Sequence, residues 1–207
     1  MLSWLAVCCS GLMHINAAYR GPRWQYYLFK PLTILCLIAI ALVAGEPGTY
    51  RDFIIVGLVF SLAGDVLLML PKERFVSGLS SFFLAHLCYS GAFWQANDGN
   101  VVLWLPFMLA AFGVILFLLL LPNLGRFVLP VAIYILMISQ MTWAAGQVWL
   151  AHPGQLSGFA FCGALLFMFS DAVLAVDKFK GPFKSATMLI MGSYFLSQAL
   201  ITASALG

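Results

Sequence analysis

FSLAGDVLLML at residues 60–70 and LLFMFSDAVLAV at residues 165–176 each hold one aspartate, Asp65 and Asp171, inside an otherwise apolar run. Runs of this kind read as membrane helices. A carboxylate at bilayer depth costs about 2.5–3.5 kcal/mol on insertion scales. Such a residue faces a bundle interior or a wet cavity, and by default it marks function. The rest of the composition agrees. The chain is 63% hydrophobic and 8% charged, where soluble domains carry about 25% charged residues. So few charges cannot dress a water-facing globule. Residues 1–207 therefore read as one integral membrane domain with no separate soluble part.

Several classes fall away on the same grounds. The net charge of +3 comes from basic residues at helix ends and is no nucleic-acid footprint. Cys8, Cys9, Cys36, Cys88 and Cys162 lie in apolar runs without metal-type spacing and read as small hydrophobes. The N-terminus is apolar from Leu2 and lacks a basic leader, so it reads as a retained first span.

A bilayer core takes about 20 apolar residues per helix. Charges and turn formers then cut the chain into about eight spans, near 2–19, 28–44, 52–70, 76–96, 101–121, 127–149, 156–176 and 183–206. The expected fold is an all-α bundle of about eight transmembrane helices. Arg20, Arg23, Lys30, Lys72, Arg74, Arg126, Lys178, Lys180 and Lys184 flank the odd-numbered connections, and Arg51 flanks an even one. The excess of positive charge puts the odd connections in the cytoplasm and both termini outside. The expected location is the inner, or cell, membrane of a bacterium.

The halves 1–96 and 101–207 echo each other. Lys30-Pro31 matches Leu129-Pro130, and Gly64-Asp65-Val66-Leu67-Leu68 matches Ser170-Asp171-Ala172-Val173-Leu174. Four spans per half would make this a parallel repeat about an axis along the membrane normal. Asp65 and Asp171 would then lie at matching depth, about one and a half turns from the cytoplasmic ends of their helices.

Other polar residues collect in the middle and cytoplasmic half of the bundle. Gly57, Ser61, Gly64 and Asp65 share one face of span three; Ser81, Phe82, Ala85, His86 and Tyr89 share one face of span four. Tyr194 and Gln198, four apart, share a face of span eight. Tyr134, Asn16, Tyr19 and Lys30 lie nearer the cytoplasm. Each has a plainer reading. A buried Asp can tie two helices together, and tyrosines and glutamines are common helix glue. His14 reads as structural, and Asp52, Asp98 and Asp177 read as solvated edge residues. His14, His86 and His152 lie at depths too different to share a zinc ion. An Asp65–His86–Asp171 set is sparse for zinc, which favours at least three firm N or S ligands, so no metal is expected. The lack of a GxSxG elbow speaks against serine-hydrolase chemistry, and with no phosphate-binding glycine loop no cofactor is expected.

Taken in order, Lys30-Pro31, Gly64-Asp65, GLSSFFLAHLCY from Gly78 to Tyr89, and SDAVLAVDKF from Ser170 to Phe179 resemble the YhhN-like family of multi-pass membrane proteins. The resemblance covers nearly the whole chain. Its members include vertebrate lysoplasmalogenases, which implies cleavage of the vinyl-ether bond of a lysophospholipid to a fatty aldehyde and a glycerophospho-headgroup. The expected partners are that substrate and the surrounding lipids.

Vinyl-ether hydrolysis starts with protonation of an alkene carbon, which leaves an oxocarbenium ion. It needs an acid that keeps its proton at neutral pH and an anion facing the cation, and paired carboxyls in a desolvated site divide those roles. Asp65 is assigned as general acid and Asp171 as water-orienting base, or the two exchanged, with His86 tuning the pair. Lys30 is a candidate for the substrate phosphate. Tyr89, Tyr134, Tyr194, Gln198 and Asn16 are candidates for substrate contact. Two rivals stay open: a small transporter or proton-coupled carrier, where intramembrane carboxylates also occur, and a lipid-binding protein without turnover.

Overall fold

The computed structural model describes residues 2–70, 74–97, 99 and 101–207. Lys72 and Asp98, read above as a cytoplasmic anchor and an edge residue, lie outside the described residues. The elements are α1 (Leu2–Arg20), α2 (Arg23–Ala44), α3 (Thr49–Met69), α4 (Phe75–Gln95), α5 (Trp104–Leu124), α6 (Val128–Ala151), α7 (Gln155–Lys180) and α8 (Ala186–Ala203). A single 3₁₀ turn, Gly125–Phe127, joins α5 to α6, and there is no strand among the described residues. By length and composition six helical segments can cross a membrane, with Trp104–Ala151 counted as one stretch of 48 residues. The chain is an all-α, multi-pass integral membrane protein. Helix α1 falls outside that set of six.

Helix ends depart from the apolar runs for identifiable reasons. Helix α2 opens at Arg23, so Pro31 sits inside it and does not open it. Proline removes one N–H and leaves the rest of the ladder intact, and membrane helices tolerate it where neighbours re-satisfy the backbone. Helix α5 likewise runs through Pro122 to Leu124. The break comes at Gly125, whose φ of +50° suits a residue without a Cβ. Helix α7 continues past the apolar run to Lys180. Asp171 therefore lies farther from the end of its helix than Asp65 does from Met69, and counting turns from helix ends does not match their depths.

Sequence neighbours pack as pairs: α1 on α2, α3 on α4, α7 on α8. Helix α4 also packs on α6, and α8 on α2. Two glycines bring α3 against α4. A Cβ on Gly64 would stand 2.7 Å from the Phe82 ring, and one on Gly57 would overlap the ring of Tyr89. Close backbone approach through small residues replaces the hydrophobic driving force that a bilayer cannot supply. The interior is filled by large rings such as Tyr89, Phe93 and Phe167, all wholly buried. Large apolar side chains also cover the outside, among them Phe107 and Ile115, as expected of a surface bathed in lipid.

Candidate active site

Asp65 comes from α3, one residue after the glycine that admits Phe82. Its side chain is 1% exposed. The Lys30 ammonium, from α2, stands 3.0 Å from its Oδ1. The Tyr194 hydroxyl, from α8, donates to its Oδ2 at 2.8 Å. Behind Tyr194 runs a chain of hydrogen bonds. Gln198 Nε2 donates to the Tyr194 oxygen at 3.3 Å, and the Tyr89 hydroxyl donates to Gln198 Oε1 at 2.8 Å. With that proton committed, Ser61 Oγ is the donor in its 3.3 Å contact with Tyr89. Helices α2, α3, α4 and α8 thus hold one carboxylate from several sides.

Asp171, from α7, has different company. The Tyr134 hydroxyl donates to its Oδ2 at 2.6 Å. His86 Nε2 is 3.9 Å from the same oxygen, too far for a hydrogen bond. The His86 ring is clamped edge-on by Phe167 and Tyr134, at 4.6 and 5.2 Å between centroids. Neither of its buried ring nitrogens has a hydrogen-bond partner among the described residues. Buried polar atoms without partners are rare and ask for a reason. The Asp171 side chain keeps 15% exposure.

One cavity of about 190 Å³ touches both carboxylates, together with Lys30 and Tyr194. Tyr26, Thr187 and Asp177 carry its wall toward the ends of α2, α8 and α7. That end of the bundle bears Arg20, Arg23, Lys178 and Lys180. A second, narrow cavity of about 50 Å³ adjoins it. Its wall is almost entirely apolar and includes Asp171, Tyr134, Phe82 and Leu68. The two spaces meet at Asp171. The arrangement offers a polar chamber with two carboxylates and one cation beside an apolar slot, which suits an amphiphile whose reacting bond lies between a headgroup and a chain.

The sequence-read residues sort into three groups. Lys30, Asp65, Asp171 and Tyr194 line the cavity. Tyr89, Gln198, Tyr134 and His86 stand behind them, as hydrogen-bond or ring partners. Asn16 is not brought to the cavity. It is exposed on α1, whose buried residues Gly11, His14 and Ala17 follow a three-residue spacing that leaves Asn16 on another side. Lys30 is buried against Asp65 and not free at the membrane surface. Asp177, read as a solvated edge residue, stands in the cavity wall and accepts from the Phe183 N–H at 3.3 Å. Tyr26, Ser170 and Thr187 also line the cavity. Tyr26 fell outside the span expected to start at 28, whereas α2 starts at Arg23. Ser170 and Thr187 lie inside their spans, where a lone hydroxyl carries no signal of its neighbours. His14 is structural: it packs on the Tyr26 and Phe195 rings and contacts the Tyr26 carbonyl at 3.1 Å.

The YhhN family model matches residues 25–205. The chain is 33% identical to "Uncharacterized membrane protein YhhN" of Escherichia coli O157:H7, over 98% of this chain and 97% of that one. It is 39% identical to "Lysoplasmalogenase TMEM86B" of Homo sapiens, over 88% of this chain and 76% of the human protein. It is 34% identical to "Lysoplasmalogenase TMEM86A" of Bos taurus, over 89% and 80% respectively. No solved structure matches. The chain belongs to the YhhN family.

Proposed function

We propose that this YhhN-family protein is a membrane-embedded hydrolase that cleaves the vinyl-ether bond of a lysoplasmalogen, releasing a fatty aldehyde and a glycerophospho-headgroup. One observation carries the reading. Asp65 and Asp171 line a single cavity, in a chain similar along most of its length to proteins named lysoplasmalogenase. Those relatives lend the carrier reading no support.

The surroundings of the two carboxylates favour the exchanged assignment. Asp65 already has a counter-ion in Lys30. It serves as the anion that faces the developing oxocarbenium ion. Asp171 has a tyrosine and a histidine near it and no lysine or arginine paired with it among the described residues. It serves as the general acid. Tyr134 holds Oδ2, leaving Oδ1 to deliver the proton to the alkene carbon next to the ether-bearing carbon. Water then adds to the ether-bearing carbon. The hemiacetal collapses to aldehyde, and the glycerol oxygen leaves with a proton. The Asp171 carboxylate, with His86 beside it, takes the proton shed by water and is restored. Lys30, already in the wall, also meets the headgroup side of the substrate. Positioned acid–base groups of this kind contribute about 10²–10⁴-fold.

The membrane topology belongs to the same proposal. All of α1–α8 cross the bilayer, with the basic end in the cytoplasm and both termini outside, in the bacterial inner membrane. The outward-facing Leu2, Leu5 and Leu12 give α1 a lipid-ready face. The parallel repeat is supported by packing: α4 lies on α6 as α8 lies on α2.

The test is direct. Purified protein is incubated with a 1-alkenyl lysophospholipid and with its 1-acyl counterpart. Aldehyde should appear from the first and no fatty acid from the second, and Asp65→Asn should abolish the aldehyde. Absence of aldehyde from folded wild-type protein would overturn the reading.

A further inference from the structure

The apolar slot beside Asp171 shares part of its wall with a lipid-facing groove. Its wall contains Gly113 of α5 and Ile135 of α6. The same two residues line a third space, a groove of about 380 Å³ between α5 and α6. Val114 and Leu136 line that groove and are themselves 56% and 69% exposed. In a membrane their surroundings are lipid chains. The groove also carries Ser139, Gln140 and Trp143 on α6 at its end away from the basic face. Three spaces thus succeed one another: the carboxylate cavity, the slot, and a lipid-facing groove. Neighbouring spaces share wall residues, Asp171 among those between the first two and Gly113 and Ile135 between the last two.

Gly113 packs on Ile135 in the wall that slot and groove share. A Cβ there would stand 2.9 Å from Ile135 Cγ2 and 3.5 Å from Ser139 Oγ. Any side chain larger than hydrogen would have to displace Ile135. Helix α5 is otherwise built from large apolar residues around this position, among them Phe112, Val114, Ile115 and Leu116. The slot and the groove are both apolar and the groove faces the bilayer, and the contact of Gly113 with the Ile135 side chain stands between them.

We propose that the hydrocarbon chain of the substrate lies along this passage. It enters sideways from the bilayer between α5 and α6, passes Gly113 as the Ile135 side chain turns aside, and brings the bond to be cleaved to Asp171. Gly113 is then the residue that decides which chains pass. This rests on the vinyl-ether hydrolase reading for the nature of the bond, whereas the path itself is a statement about where a single-chain amphiphile binds.

The experiment has two arms, so that the two ideas fail separately. In the first, a lysophospholipid with a diazirine near the end of an 18-carbon chain is photolysed on wild-type protein in detergent, and the adducts are mapped by mass spectrometry. Adducts should fall on α5 and α6 in the groove, around Gly113, Val114 and Leu136, and untagged lysophospholipid should compete them away. Adducts confined to other helices would overturn the path, whatever the protein catalyses. In the second arm, aldehyde release from 18-carbon and 4-carbon 1-alkenyl substrates is compared in wild type, Gly113→Ala and Gly113→Phe. The long-chain kcat/KM should fall at least about tenfold in Gly113→Phe, the low end of what a one-methylene mismatch costs, with Gly113→Ala intermediate. The short-chain value should stay within about twofold, which also shows that the variant is folded. Equal loss on both chains would overturn the path. Competed groove adducts in a protein without turnover would uphold the path and sink the hydrolase reading.

Discussion

The Lys30 ammonium and Asp65 Oδ1 lie 3.0 Å apart, with 6% and 1% of their side chains exposed. A charge buried in this way depends on its partner. Breaking such a pair by removing one member costs about 3–5 kcal/mol, because the other is left uncompensated. Lys30→Met should therefore lower the unfolding midpoint in detergent markedly. Lys30→Met with Asp65→Asn should recover most of that loss while leaving turnover absent. Equal stability of the single and double variants would show that the pair does not hold charge.

Tyr194 is the second hand on Asp65. Tyr194→Phe keeps the ring packed on Phe82 and Phe167 and deletes the 2.8 Å hydrogen bond. Hydrogen bonds to charged groups contribute about 1.5–3 kcal/mol. Turnover should fall about ten- to a hundredfold, and the unfolding midpoint should fall too, because Asp65 Oδ2 is left buried without its donor. Gln198→Leu, which acts through Tyr194, should cost less. A Tyr194→Phe enzyme within twofold of wild type would remove Asp65 from the reacting centre.

The contact of α3 with α4 rests on a glycine against a ring. Gly57→Ala should destabilise by about 1–3 kcal/mol, the usual cost of overpacking. Tyr89→Ala empties the space that the new methyl would occupy. The double variant should therefore be more stable than the sum of the two single effects, a coupling expected of residues in contact. Additive effects would contradict the packing described.

Topology is tested by reporters. Fusions at Lys178 should behave as cytoplasmic and a C-terminal fusion as external. The basis is that nine of the ten Lys and Arg residues flank the odd-numbered connections. A C-terminal reporter active only in the cytoplasm would invert or reduce the count of crossings.

Much of this was legible in the sequence, because the bilayer imposes hard rules. Apolar runs of helix-spanning length named the helices, and the two aspartates within them pointed to the cavity that both line. Side-by-side faces could be read from periodicity, which is why Ser61, Gly64, Asp65, His86 and Tyr89 were grouped correctly. Partners across helices could not. Nothing in the spacing of Lys30 said that it would reach Asp65, because Pro31 suggested a helix start at the surface. Asn16 failed for the opposite reason: one polar residue on an apolar helix carries no facing information without the neighbours that bury His14 and Ala17. Asp177 was placed in water because α7 outruns its apolar stretch by one turn.

In the proposed reaction Asp171 is the proton donor, and its proton goes to carbon in the slow step. The measurement is the rate of aldehyde release from a 1-alkenyl lysophospholipid in H₂O and in D₂O, for wild type and for Asp171→Asn. Wild type should release aldehyde and slow in D₂O. Asp171→Asn should lose about 10²–10⁴-fold while keeping its unfolding midpoint and its binding of lysophospholipid. Undiminished aldehyde release by Asp171→Asn would contradict it.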